Sequence, residues 1–274
     1  MGVPPGFTRT EKGWMAMRAA LLLVLLGPLA ALAGSPFDGT WVAQTDSIVL
    51  SKKPDVFVLD QGVFQAKTAT PPFKVKADGT DQPVAGHAYY DSVAVKVASP
   101  GSVELTYKKG GKTTFVNSLS VSADGKTLTF NFRDETGTQP VTGASRSTRV
   151  AAGPKGSDPI SGSWRPEKVD SISSSGLTVT FKATADGLTM SNLTGQSYDA
   201  KFDGKYYPVA GDPGQTLVAL KKVNNSTIIE TDKRLDKVTD VITMTVAKDG
   251  ATMHVKDEDK LQGTTTTWTN KKSP

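Results

Sequence analysis

Few side chains in this chain are of a type that does covalent chemistry. There are two histidines, His87 and His254, and no cysteine. Acid–base or nucleophilic catalysis needs a base and its partners in a fixed constellation, and two isolated histidines do not supply one. A zinc site of the usual ligand spacing is absent for the same reason. The run Asp257-Glu258-Asp259-Lys260 is the one place where carboxylates crowd together. A hard cation would accept such ligands, but the run reads more simply as a solvated acidic loop. No Gly-rich phosphate loop and no nucleophile elbow occurs. The residues therefore point to binding rather than to bond-making, with no cofactor and no metal expected.

The elements that would position a binding site come from an internal repeat. Pro83-Val84-Ala85-Gly86 recurs as Pro208-Val209-Ala210-Gly211, and Asp78-Gly79 and Asp124-Gly125 recur at the same offset as Asp203-Gly204 and Asp249-Gly250. Gly39-Thr40-Trp41 and Gly162-Ser163-Trp164 open the two copies. His87 and His254 have no histidine at the equivalent position of the other copy, so neither belongs to the repeated framework.

The first residues form a different object. Arg9, Lys12 and Arg18 precede a short apolar run ending in Ala31-Leu32-Ala33, the order of a secretory signal peptide. The run is broken by Gly27-Pro28 and is short for a membrane span. Cleavage after Ala33 would remove three cations and one anion and lower the formal net charge from +5 to +3. The remaining basic residues are scattered, so a nucleic-acid stripe is not expected. The compartment implied is the periplasm or the exterior, and no second apolar run would span a membrane.

Past residue 33 the chain is a series of short alternating runs such as Ser92–Ala98 and Leu177–Thr184, punctuated by Gly, Asp, Asn and Pro. That is the pattern of antiparallel strands with one buried face. The stretch Asp232–Asp240 has charges at helical spacing but lies between strands and reads as a charged hairpin. Asp-Gly between such runs marks a two-residue hairpin, and this fixes register. Around Asp124-Gly125, Val121 should oppose Leu128 and Leu119 oppose Phe130. Around Asp249-Gly250, Val246 should oppose Met253 and Met244 oppose Val255, with His254 on the outer face. The same treatment of Asp78-Gly79 sets Phe73 opposite Val84, and that of Asp203-Gly204 sets Tyr198 opposite Val209 and Ala200 opposite Tyr207. The expected organisation is a signal peptide over 1–33, a barrel over 34–153, a flexible linker over 154–158 and a second barrel over 159–274.

Gly-x-Trp at a first strand followed by many hairpins resembles the lipocalin and fatty-acid-binding-protein group. The stretch Ala200–Gly211 with Lys248–Val255 is similar to a group of uncharacterised secreted bacterial lipocalin-like proteins. The resemblance implies an all-β fold, two tandem antiparallel up-and-down barrels of about 8–10 strands each, with a tryptophan at the closed end of each. It implies no activity, and the disulfide typical of lipocalins is missing. Inward positions then become candidate cavity lining: Tyr198, Phe202, Tyr207, Met244, Met253 and Trp164, with Phe73 and Trp41. The partner expected is a small apolar or amphipathic molecule; the alternative is an envelope protein whose barrels are filled and whose outer faces make the contacts. One outcome follows directly from the processing signal: N-terminal sequencing of the exported protein should begin at Gly34, and a chain beginning at Met1, Met15 or Met17 would contradict it.

Overall fold

The computed structural model describes residues Gly34–Pro274; the expected signal peptide lies outside the described residues. The described chain is nearly all strand: β1 (Gly39–Ala43), β2 (Asp55–Asp60), β3 (Val63–Ala66), β4 (Phe73–Lys76), β5 (Asp78–Pro83), β6 (Ser92–Ser99), β7 (Ser102–Lys109), β8 (Lys112–Val121), β9 (Thr127–Asp134), β10 (Val141–Ala152), β11 (Gly162–Ile172), β12 (Thr178–Ala183), β13 (Gly187–Asn192), β14 (Ser197–Lys201), β15 (Tyr207–Pro208), β16 (Leu217–Asn224), β17 (Thr227–Arg234), β18 (Lys237–Val246), β19 (Thr252–Asp259) and β20 (Thr264–Lys272). They build two antiparallel, nearly closed barrel-like sheets of ten strands each. Val, Thr and aromatic residues on alternate positions give each strand a buried face and a wet one, which suits a pleated barrel wall.

The two sheets do not follow the repeat boundary. β1 pairs with β12, Thr40 opposite Thr180, and with β20, Trp41 opposite Lys272. It therefore belongs to the sheet made by the second half of the chain. β11 pairs with β10 and β2, with Ser163 opposite Val56, and so completes the sheet of the first half. Barrel 1 is thus β2 to β11, and barrel 2 is β1 with β12 to β20. The first strands of the two repeats have changed places. The chain passes between barrels twice, over 44–54 and over 173–177, the latter holding a single helical turn at Ser174–Leu177. The contiguous barrels expected over 34–153 and 159–274 are corrected accordingly. Residues 154–158 are not a joint: they connect β10 to β11 inside barrel 1, where the Asp158 carboxylate accepts the Gly101 and Ile160 amides.

The exchange is anchored by the two tryptophans. Trp41 is wholly buried in the core of barrel 2 beside Phe37, and Trp164 is wholly buried in the core of barrel 1 beside Ile160. Each indole donates to the carbonyl four residues earlier, Trp41 to Phe37 at 2.8 Å and Trp164 to Ile160 at 2.9 Å. Each is covered by the cation directly opposite it on the neighbouring strand, Lys272 at 5.1 Å from the Trp41 ring and Arg149 at 3.9 Å from the Trp164 ring. The motif's glycine answers to the same geometry. Gly39 and Gly162 have φ of 117° and 150°, and a Cβ there would meet the Lys272 side chain at 2.9 Å or the Arg149 guanidinium and the Ala151 carbonyl at 2.6 Å.

The hairpin registers at Asp124-Gly125 and Asp249-Gly250 hold residue for residue. The charged hairpin at Asp232–Asp240 is present too, turning through Leu235 and Asp236 with positive φ. The other two Asp-Gly sites differ. β4 and β5 lie at opposite ends of the sheet order and form no ladder; the Asp78 carboxylate instead accepts the Thr80 amide at 3.0 Å and sends the chain to pair with β6. After Asp203-Gly204 the strands splay, and only Ser197 and Ala210 exchange backbone bonds, at 3.1 and 2.8 Å, on the expected register. Pro83 and Pro208 pair with Ser92 and Leu217 at the ends of their strands, and Val84 and Val209 donate to the equivalent carbonyls of Asp91 and Thr216, both at 2.9 Å. The repeated tetrapeptide is a strand ending in both barrels.

The exchange is testable because the chain has no cysteine of its own. Thr40 and Thr180 share a hydrogen bond at 2.8 Å between their hydroxyls, within reach of a disulfide. A T40C/T180C double variant should oxidise nearly completely within the monomer. T40C/V56C, the pair that contiguous barrels would bring together, should not; the reverse pattern would refute the exchange.

Candidate functional site

The interiors of the two barrels have diverged at equivalent positions. In barrel 1 the inner rows are filled by rings. Phe73 packs edge-on against His87, Tyr90 and Tyr107 at 6.0–6.5 Å between centroids, Tyr107 against Phe115 at 6.1 Å, and Phe130 lies stacked on Phe132. In barrel 2 the residues equivalent to Leu105, Tyr107, Phe115 and Phe132 are Glu230, Asp232, Asp240 and Asp257. A leucine and three aromatic rings have become four carboxylates.

Barrel 2 also has open space, on other strands than the four carboxyl groups. A cavity of about 590 Å³ opens on the inner faces of β12, β13 and β20, with Val179, Met190, Thr266, Trp268 and Asn270 on its wall. It is roofed by the two crossings between barrels, through Ile48, Leu50, Ile172 and Leu177, and by the β9–β10 connection of barrel 1 at Thr136 and Gly137. Thr138 ties that roof to the rim of barrel 2, donating its amide to the Thr194 carbonyl at 2.7 Å. The volume is in the range of small-molecule sites, and the wall is largely apolar with a few polar groups.

A smaller chamber of about 120 Å³ shares Met190 and Gln196 with this cavity and is lined by Tyr198, Glu230, Asp232 and Arg234. Tyr198 donates its hydroxyl to Glu230 Oε2 at 2.5 Å. Arg234 is already engaged: it donates to Asp240 at 2.6 Å, to the Tyr89 hydroxyl at 3.2 Å and to Thr216 at 3.3 Å. Tyr89 comes from barrel 1 and lies over Gly214, where even a methyl group would meet its ring at 2.5 Å. One guanidinium thus faces four carboxylates. Burial first, and then the neighbouring carboxylates, push Asp232 well above the ordinary carboxylate range. Burial raises Glu230 in the same way, against the Tyr198 hydrogen bond that lowers it. Asp257 is pushed up to about 6 by burial and by Asp240 and Asp259. Among the described residues, no group of three or more His, Cys, Asp or Glu side chains is arranged to hold a metal ion.

Most of the lining expected from sequence lies elsewhere. Trp41, Met244 and Met253 are packed into the core of barrel 2, while Trp164 and Phe73 belong to the core of barrel 1. Phe202 borders a separate pocket of about 150 Å³ near Phe37. Tyr207 packs only partly against the core and donates its hydroxyl to Asp203 at 3.0 Å at the rim. Tyr198 does reach the smaller chamber. The acidic run at Asp257–Lys260 is not a solvated loop but the end of β19: Asp257 turns inward, Glu258 pairs outside with Lys256 and Lys260, and Asp259 caps the turn through the Leu261 and Gln262 amides. His254 is exposed, as its register predicts.

These carboxyls set the sign of the pH dependence. A group whose native pKa is raised keeps its proton after the unfolded chain has lost it. Its contribution to stability is complete at acid pH and is lost as pH rises from the unfolded value of about 4 through the native one. The denaturation midpoint should therefore fall between pH 4 and 8. Asp232→Asn or Asp257→Asn should flatten that slope, while Glu258→Gln, outside the barrel, should leave it. A midpoint independent of pH in the parent protein would contradict the burial of these groups.

No protein-family model and no curated protein matches this chain.

Proposed function

We propose that this protein binds a small apolar or amphipathic molecule inside barrel 2. The observation that supports this reading is the cavity of about 590 Å³ at the mouth of barrel 2, walled by Val179, Met190 and Trp268, in a barrel whose interior has also exchanged the rings of barrel 1 for carboxyl groups. A barrel retained only for its outer surface has no physical reason to give up that packing, since exchanging core rings for buried carboxyls costs stability. In this reading barrel 1 is the structural partner that roofs the site, and both are members of a lipocalin-like design. The N-terminal segment acts as an export signal, and the mature protein works in the periplasm or outside the cell. Among the described residues, no helix is long and apolar enough to cross a membrane.

Binding of an apolar fluorescent probe tests the reading. Wild-type protein should bind it. Met190→Trp, which fills the cavity, should abolish binding with the fold intact, and Trp268→Ala should weaken it about tenfold, or ~1.4 kcal/mol. Tyr206→Ala, on the exposed outer face, should change nothing. A wild-type protein that binds no probe would favour the alternative of a filled barrel acting through its surface.

A further inference from the structure

We infer that the ligand of barrel 2 is uncharged and lies polar end inward, with a hydroxyl or amide N–H donating to Asn270 Oδ1 and an apolar chain against Val179, Met190 and Trp268. The inference rests on the proposed cavity and adds the chemical class and the direction of its occupant. Its first support is the electrical character of the wall. Among the described residues, Asp134 is the one charged side chain that lines the cavity. Its Oδ1 already accepts the Thr136 amide at 2.8 Å and the Thr136 hydroxyl at 2.6 Å. Arg234 lines a different chamber and is taken up by Asp240, Tyr89 and Thr216. An anionic head would meet no cation on this wall, and an ammonium would exchange its hydration for one carboxylate that is already engaged. Burying a charge on such terms is costly.

The second support is a single atom. Several polar side chains of the wall satisfy one another or the backbone. Asn192 donates to Gln196 Oε1 at 3.1 Å and accepts the Thr194 hydroxyl at 2.7 Å, and the Ser175 hydroxyl donates to the Pro140 carbonyl at 2.7 Å. Asn270 is different. It is only 5 % exposed, its Oδ1 has no partner, and its amide nitrogen reaches only the Met253 sulfur at 3.8 Å. Of the buried unpaired polar atoms among the described residues, Asn270 Oδ1 is the one that belongs to the cavity wall. A buried acceptor left unpaired is unfavourable, and a neutral donor satisfies it with less desolvation than an ion.

The place of Asn270 gives the ligand its direction. Along β20 the inward row Thr266, Trp268, Asn270 leads to Lys272, which covers the buried Trp41. Asn270 stands opposite Ala43 on one side and the wholly buried Met253 on the other. It therefore lies at the end of the cavity plugged by Trp41. Trp268, two residues back, offers its ring to an apolar stem.

Four probes separate this inference from the cavity itself. Decanol, its isomer methyl nonyl ether, decanoate and decylamine would each be used to displace the apolar fluorescent probe from the purified protein at neutral pH. The ether matches the alcohol in size and has an acceptor but no donor. Decanol should bind about tenfold more tightly than the ether, the margin of one buried neutral hydrogen bond, although the ether is the more apolar of the two. It should also bind at least about tenfold more tightly than either ion. In Asn270→Leu, checked by thermal melting, the alcohol should fall to within about threefold of the ether while the ether is unchanged. If that variant does not fold, the wild-type comparison of alcohol with ether decides alone. Equal or tighter binding of the ether, a preference for either ion, or a preference for the alcohol that survives Asn270→Leu would overturn the inference and leave the cavity standing. Failure of the protein to bind the fluorescent probe or any of the four would overturn the cavity reading itself.

Discussion

The structure depends on two buried indoles that each sit in the other repeat's barrel. Trp41 and Trp164 are the largest fully buried side chains, and truncating a core tryptophan typically costs about 3–5 kcal/mol. Each lies where a cation, a carbonyl and a glycine of fixed conformation close around it, so the first strand of each repeat has one seat. The short side chains before them make the seat specific. The Asp38 carboxylate accepts the Ala183 amide at 2.6 Å, and at the equivalent place the Ser161 hydroxyl accepts the Leu59 amide at 2.9 Å. Because the strands are exchanged, neither barrel is complete without residues from both repeats, and the two crossings must run side by side.

From that constraint the cavity follows. The crossings and the β9–β10 connection lie over the mouth of barrel 2 and give it a roof made of the other barrel. Barrel 1 keeps Phe73, Tyr107 and Phe115 in one aromatic cluster, with Phe132 stacked on Phe130. Barrel 2 has carboxylates at three of the four corresponding positions and the Tyr198 hydroxyl at the remaining one. Desolvation of those carboxylates is unfavourable by itself, so they mark the place where stability has been given up within the core.

Much of this was legible in the sequence. The spacing of Gly39-x-Trp41 and Gly162-x-Trp164 announces two equivalent barrels, and the Asp-Gly turns set two hairpin registers that hold throughout. Local patterns could not reveal which barrel each first strand joins, because both copies carry the same Gly-x-Trp motif and the contacts that tell the two seats apart, Asp38 with Ala183 and Ser161 with Leu59, are made to residues distant in sequence. The acidic interior was within reach. Extending the Asp249-Gly250 register four residues outward sets Asp257 opposite Ile242 on the inner face, and the row Ile228, Glu230, Asp232, Arg234 continues an inward strand. It was hidden by the usual association of charge with solvent, which fails where a barrel interior is hollow. Tyr207 misleads for the opposite reason: its parity is inward, but the strands splay after Asp203-Gly204 and leave it at the rim.

The proposed occupancy of barrel 2, and of no other part of the fold, by a small amphipathic molecule can be read from three methyl signals. Past residue 33 the chain has only three methionines, Met190, Met244 and Met253, and all lie in barrel 2. Met190 is on the cavity wall, whereas Met244 and Met253 are packed in the core below it. In methyl-labelled mature protein, titration with decanol should shift the Met190 resonance strongly and saturably, with Met244 and Met253 nearly still. Three unmoved methyl signals in the presence of bound ligand would place the ligand elsewhere and rule out binding in barrel 2.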